Sequence, residues 1–298
     1  MDLYARSTRL SGNAFGGRAH GSSRHTSCTK PPMQLDDTQS KPPAAAGPVV
    51  LLTAGGPISA CVANALAHRF GTVVVLQEDP ELPWHMVRRR ARRLGWWRVL
   101  GQVACDRLIE RAARRTRPRV GAIMVSHGLD PELDPSIAVR RIVSVNTKAC
   151  RDALRQLQPA VVAVCDARII RRETLRAVSA PFIGYHAGIY PKYLGRHPGY
   201  WALANGEPEH VGVTVHLIEE GLGTGRVLYQ ERVAFTPEDD ITTYPWVQLV
   251  HGLPLLTAAI EDALSGRINP REVHMPSRHW FPPTLWGYAW HGLRRGIW

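Results

Sequence analysis

The chain has 298 residues and 44% hydrophobic content, enough to bury one large core or two small ones. It has no run of about 18 uninterrupted apolar residues, so no membrane span is expected. The net charge of +12 is local: Arg88–Arg119 carries twelve arginines against two acids, Asp106 and Glu110, so the high pI describes one element. The five cysteines are scattered, odd in number and without C-x-x-C spacing. That pattern argues against a disulfide framework or a zinc site; no metal is expected, and a reducing cytoplasm is the expected compartment.

Residues 1–47 are rich in Ser, Gly, Arg and Pro and lack apolar periodicity, which predicts a disordered basic arm. Asp2 is the only acid before Met33, which suits either a targeting segment or a true start at Met33. From Pro48 the character changes. "VVLLTA" reads as a buried parallel strand, "GGP" as a turn, "ISACVANALAHRF" as a helix and "TVVVLQ" as a second buried strand. This is the β-α-β opening of a Rossmann-like layer. "GGPIS" is not G-x-G-x-x-G, so a dinucleotide site is not expected.

The segment of about 84–117 places Leu94, Trp97, Leu100, Ala104, Leu108 and Ala112 at three- and four-residue steps. It predicts one long Arg-rich helix with a solvated basic face; a surface for an acidic substrate or nucleic acid is the sharper alternative. "RIVSVN" then leads into "TKACRDALRQLQ", and "AVVAVCDARII" into "RRETLRAV", as two more strand–helix units. "FIGYH" is a strand ending at His186. "GVTVHLIEEG" and "GRVLYQERVAF" alternate as a strand pair. "DDITTYPWVQLVHGLPLLTAAIEDALSG" closes the domain as a helix with Asp239 or Asp240 near its cap and Gly266 at its end. The domain is thus expected over 48–266. The extension 267–298 holds four of the nine tryptophans and is expected to pack on the body or on a second copy, as a homodimer.

The succession "DARII", "FIGYHAGIYPKYLGRHPGYWALANG", "GVTVHLIEEGLGTGRVLYQ" and "DDIT" resembles the formyltransferase family. That family includes the glycinamide ribonucleotide, methionyl-tRNA and sugar-nucleotide amine formyltransferases. The resemblance is strong over about 142–265 and weak over 48–140. It implies an α/β, Rossmann-like formyltransferase fold with a mostly parallel central sheet flanked by helices. It also implies a one-carbon donor, 10-formyltetrahydrofolate, at the strand ends, where open parallel sheets bind ligands in any case. Formyl transfer is acyl transfer to an amine. It needs donors for the developing oxyanion and groups to move the amine proton.

By the resemblance, His186 matches the family histidine. The asparagine and aspartate that accompany it fall at Gly184 and Gly223, whose missing side chains can neither donate nor accept. One lost oxyanion donor typically costs about a hundred- to thousandfold in rate. Tyr185, His216, Glu219, Glu220 and Asp166 are the neighbours available to stand in. The resemblance places the pterin against the backbone of Arg168, Ile169 and Ile170 and of Glu219, Glu220, Gly221, Leu222 and Gly223. It makes Tyr185 and His197 candidate substrate residues; His197 and Tyr200–Trp201, where the family's loop enters its next helix, are expected as aromatic packing or else as a substrate wall with His197 a backup acid–base group. The acceptor is expected to be a small-molecule amine. In the methionyl-tRNA branch a barrel domain follows the catalytic domain, whereas here 32 residues follow Gly266, so nucleic acid is not expected as a partner. The alternatives are another acyl transfer, a hydrolysis or a condensation on the same scaffold, or a non-catalytic binder of folate or another metabolite.

Overall fold

The structure is a computed structural model that describes residues 47–81, 83–220 and 226–298. The expected arm lies outside the described residues except for Gly47. The chain opens with β1 (Val49–Thr53), α1 (Pro57–Phe70) and β2 (Val73–Glu78), as the buried apolar runs require. Three helices follow: α2 (Pro83–Leu94), α3 (Trp96–Ala112) and α4 (Arg117–Ser126). Next come β3 (Ala138–Ile142), α5 (Lys148–Leu157), β4 (Val161–Cys165), the one-turn α6 (Arg172–Leu175) and β5 (Phe182–His186). After them are β6 (Tyr193–Gly195), α7 (Pro198–Ala204), β7 (Gly212–Leu217), β8 (Arg226–Arg232) and α8 (Tyr244–Leu264). The last elements are β9 (Arg271–Glu272), β10 (Arg278–Trp280) and α9 (Leu285–Arg295).

The main sheet has the order β3-β2-β1-β4-β5-β7-β8-β9. The first five strands are parallel. β7, β8 and β9 continue it antiparallel. The class is α/β with a mostly parallel sheet, as expected. α1 and α8 cover one face through Val62, Leu66, Leu249, Leu256 and Ile260. α5 covers the other through Cys150 and Leu154. The strand order reverses between β1 and β4, and in open α/β sheets the carboxyl ends of strands at such a reversal are where ligands bind.

Four expectations need correction. The Arg-rich segment is not one long helix. Gly95 has φ of 83°, a left-handed conformation that suits glycine, and it separates α2 from α3. The apolar stripe read on that segment does not face the body. Val99, Gln102 and Cys105 are buried, while Trp97, Leu100 and Leu108 point to solvent. The third strand is Ala138–Ile142 rather than "RIVSVN", because its first four residues are exposed at the sheet edge and give no apolar run. "RRETLRAV" forms only the single turn of α6.

The extension packs on the body. β9 pairs with β8, β10 pairs in parallel with β6, and α9 lies against α3. Trp280 is the anchor: its ring stacks on Trp201 at 4.6 Å and on Tyr193 at 5.8 Å, with Arg278 above it at 4.0 Å.

Candidate active site

β5 brings two site residues to one face of the sheet. Side chains alternate along a strand, so Gly184 and His186 share a side and Tyr185 takes the other. β7 runs antiparallel beside it, with His216 opposite Gly184 and Thr214 opposite His186. A bulge in β7–β8 falls between Val215 and His216, where such irregularities re-aim side chains. As a result the His216 ring lies over the space beside Gly184. A Cβ at Gly184 would stand 3.1 Å from His216 Nε2 and 2.9 Å from Ile218 Cδ1. The volume that a side chain at Gly184 would take is therefore occupied by its neighbours.

The two histidines are held in opposite tautomers. His186 Nε2 lies 2.6 Å from the Tyr193 carbonyl oxygen, which can only accept. Nε2 therefore carries the proton and Nδ1 the lone pair. His216 Nδ1 lies 3.1 Å from the Leu217 carbonyl oxygen, so there Nδ1 carries the proton and Nε2 the lone pair. Burial lowers both pKa values, His216 to about 4. The His186 shift is tempered by its bond to Tyr193 and by the charge of Asp166, while His279 pushes it further down. At neutral pH the site thus holds two uncharged rings, each with one free lone pair. Tyr190 stacks on His216 at 4.1 Å and meets His186 edge-on at 6.4 Å.

The loop after His186 is fixed by side chains from three elements. Thr214 Oγ1 on β7 donates to the Gly188 carbonyl and accepts from the Tyr190 N–H. Gln230 on β8 donates to the Tyr190 carbonyl, and Gln248 on α8 to the carbonyls of Ala187 and Gly212. Where the strand order reverses, Thr53 Oγ1 donates to Ser59 at 2.5 Å, and Asp166 adopts a left-handed φ of 55°. Burial pushes the Cys165 thiol well up, so it stays protonated.

The remaining predicted positions divide. Arg168 does not face a ligand. Its guanidinium donates to the carbonyls of Val143 and Asp79 and pairs with Glu78 at 3.2 Å. The Arg168 N–H is bound by Glu78 as well, and the Ile169 carbonyl and Arg171 N–H are bound by Asn146. Ile169 is exposed and Ile170 buried. The Glu219 and Glu220 carboxylates pair with Arg226 and with Arg172 and Arg176. Gly221, Leu222 and Gly223 lie outside the described residues. Tyr185 is not a wall on the His186 face: its ring packs on Gly252 of α8, across the sheet. His197 sits at the N-cap of α7 with φ of 53°, and its Nε2 is buried without a partner. Burial and Arg196 push its pKa down to about 3, which removes it as an acid at neutral pH.

Sequence reasoning did not connect His279 with His186, nor Asp106 with Arg196 and Arg90. His279 on β10 is close enough to lower the His186 pKa, and Arg90 in turn lowers that of His279. Asp106, its pKa raised by burial, feels the positive charges of Arg196 and Arg90. Their convergence depends on α2, α3 and the extension folding over one loop, for which no local motif exists. Among the described residues, no cluster of three or more His, Cys, Asp or Glu side chains is placed to hold a metal ion.

Residues 114–246 match the formyl transferase family. Over this stretch the chain is similar to that family. It is similar to the methionyl-tRNA formyltransferase of Pelotomaculum thermopropionicum, with 40% identity over 44% of this chain and 41% of that protein. With the one from Trichlorobacter lovleyi it shares 27% identity over 60% of this chain and 54% of that one. The chain thus spans about half or less of these formyl transferases. The solved glycinamide ribonucleotide transformylase 1 of Symbiobacterium toebii overlaps 78% of this chain and 92% of its own, at 15% identity and a TM-score of 0.48.

Proposed function

We propose that the carboxyl ends of β1, β4 and β5 form a formyl-transfer site that acts on the amine of a small molecule. The observation that carries this reading is the His186 ring: neutral, half-buried at a strand end, and oriented by a carbonyl so that Nδ1 offers a lone pair. Such a nitrogen can take a proton from an attacking amine and return it to a leaving nitrogen. His186 is then cationic between the two transfers, and Asp166 stabilises that charge. The neutral His216 lone pair accepts a hydrogen bond from the incoming amine. The arginines near His279 support an acceptor that carries an anionic group.

The backbone at Arg168–Ile170 suits a pterin in part. The N–H groups of Arg168 and Arg171 are spent, but the Ile169 carbonyl keeps a second lone pair for a ring N–H. Bound there, 10-formyltetrahydrofolate would supply the activated formyl group. The compartment in this reading is the cytoplasm, in keeping with Cys61, Cys105, Cys150 and Cys165, the cysteines among the described residues, as free thiols.

A second reading is favoured by the packing at Gly184. His216 and Ile218 fill the space of the asparagine that the resemblance places there, and neither offers an oxyanion donor. The scaffold would then serve another acyl transfer, a hydrolysis, a condensation or metabolite binding. Incubating the protein with 10-formyltetrahydrofolate separates the readings. The acceptors are amino sugar nucleotides, glycinamide ribonucleotide and methionyl-tRNA, with products read by mass spectrometry. The expected result is an N-formyl small molecule whose formation drops about a hundredfold or more in His186→Gln. Formylation of methionyl-tRNA alone would replace the acceptor. No product with any acceptor would favour the second reading.

A further inference from the structure

The outward face of α3 and α9 carries side chains that a water-facing surface does not need. On α3, Trp97, Ala104 and Leu108 recur at helical steps along one exposed face, with Gly101 between them covered by the neighbouring helix. The body side of the same helix is taken by Val99, Gln102 and Cys105, so that face meets solvent, with Trp97 81% exposed. The Trp286 ring lies on α3 at Gly101, where even a methyl group would strike it. From there Trp290 and Leu293 continue along α9 at one-turn steps, 56% and 81% exposed. Leu94, Arg98 and Trp286 line one groove, which joins the end of α2 to the same surface.

The charge on α2, α3 and α9 is predominantly positive. Arg88, Arg92, Arg93, Arg98, Arg111 and Arg294 are exposed, and among the described residues none has a carboxylate within ion-pair distance. Arg88 stands over the Trp84 ring at 6.0 Å and Arg294 over Trp290 at 4.5 Å.

We propose that this face docks on a lipid bilayer containing anionic lipids and lies in the headgroup region without crossing it. Tryptophan and leucine on one side of a basic helix are the composition that settles at the boundary of headgroups and acyl chains. Unpaired arginines beside them meet lipid phosphates, each worth about fivefold in partitioning to an anionic surface. No helix of the described residues is long and apolar enough to span a membrane. A second copy using the same patch would bring the same arginines against themselves in a two-fold contact. A nucleic acid would use the arginines and the indoles but would gain nothing from Leu100, Leu108 and Leu293.

The test uses the full chain and vesicles of phosphatidylcholine, with and without phosphatidylserine. Co-sedimentation is expected only when phosphatidylserine is present, with tryptophan emission shifting to the blue. The double variant Trp97→Ser/Leu293→Ser, at two of the most exposed positions, should keep its melting temperature and bind about tenfold or more weakly. Arg92→Gln/Arg93→Gln should lose about as much on anionic vesicles and nothing on neutral ones. Equal binding to both vesicle types overturns the proposal, as does binding indifferent to both double variants. A dimer in light scattering that Trp97→Ser/Leu293→Ser dissociates, without vesicle binding, overturns it in favour of a second copy. Retention of an RNA oligonucleotide lost in the same variants, again without vesicle binding, overturns it in favour of nucleic acid.

Discussion

His216 and His197 are neutral in the folded protein at pH values where a free histidine is charged. Their folded pKa values, about 4 and about 3, lie below the ordinary value of 6.5. As the pH falls through 6.5 the unfolded chain takes up protons that the folded one refuses, so stability falls. Each histidine contributes a slope of up to about 1.4 kcal/mol per pH unit, His216 down to about pH 4 and His197 to about pH 3. Denaturant titrations over that window should show the slope, and His197→Gln/His216→Gln should flatten it. An unchanged slope in the double variant would refute the assignment. Gly184 makes a second claim. Gly184→Asn is expected to destabilise by about 1–3 kcal/mol, because its Cβ meets Ile218 and His216. Since the nearest contact is the tip of a flexible chain, Ile218→Val should recover part of that loss, and a thermal double-mutant cycle measures the coupling. The glycine next to the histidine was legible in "FIGYH". Its filling by His216 was not, because it depends on the register of β5 against β7 and on a bulge in β7–β8.

At the scale of elements, strands buried on both faces announced themselves. β1, β2, β4 and β5 are nearly continuous apolar runs and stand where those runs predict. β3 left no such trace, since Ala138–Arg141 are exposed. α2 and α3 read as one helix because a glycine inside a periodic pattern does not declare its φ. What binds the edge of the sheet is Glu78, 1% exposed at the end of β2. It accepts from the N–H groups of Val145 and Arg168 and pairs with the Arg168 guanidinium. It therefore joins the ends of β2 and β4 to the segment after β3. Glu78→Ala would leave the Val145 and Arg168 N–H groups without their acceptor and the Arg168 guanidinium without its counter-charge, at a cost of about 3–5 kcal/mol. Chemical denaturation measures it, and a loss below about 1 kcal/mol would show that the cluster is solvated.

On the scale of the whole molecule, the extension is part of the body rather than an appendage. Its tryptophans gave notice that it packs somewhere, but the partner of β10 is far away in sequence. Trp280→Ala removes the stacks on Trp201 and Tyr193 and should cost about 2–4 kcal/mol. Hydrogen exchange should rise in Tyr193–Gly195. Unaltered exchange there would mean that β6 holds itself.

That clasp orders events in time. Tyr193, whose carbonyl decides which nitrogen of His186 carries the proton, is also the residue that β10 grips. A ribosome delivers His186 long before it delivers Arg278–Trp280. The nascent chain can therefore complete its parallel sheet before β10 pairs with the residue that orients His186. The clasp is the last of the contacts on Tyr193 to arrive, and a protease that severs the extension would remove it while leaving every strand-end residue in place.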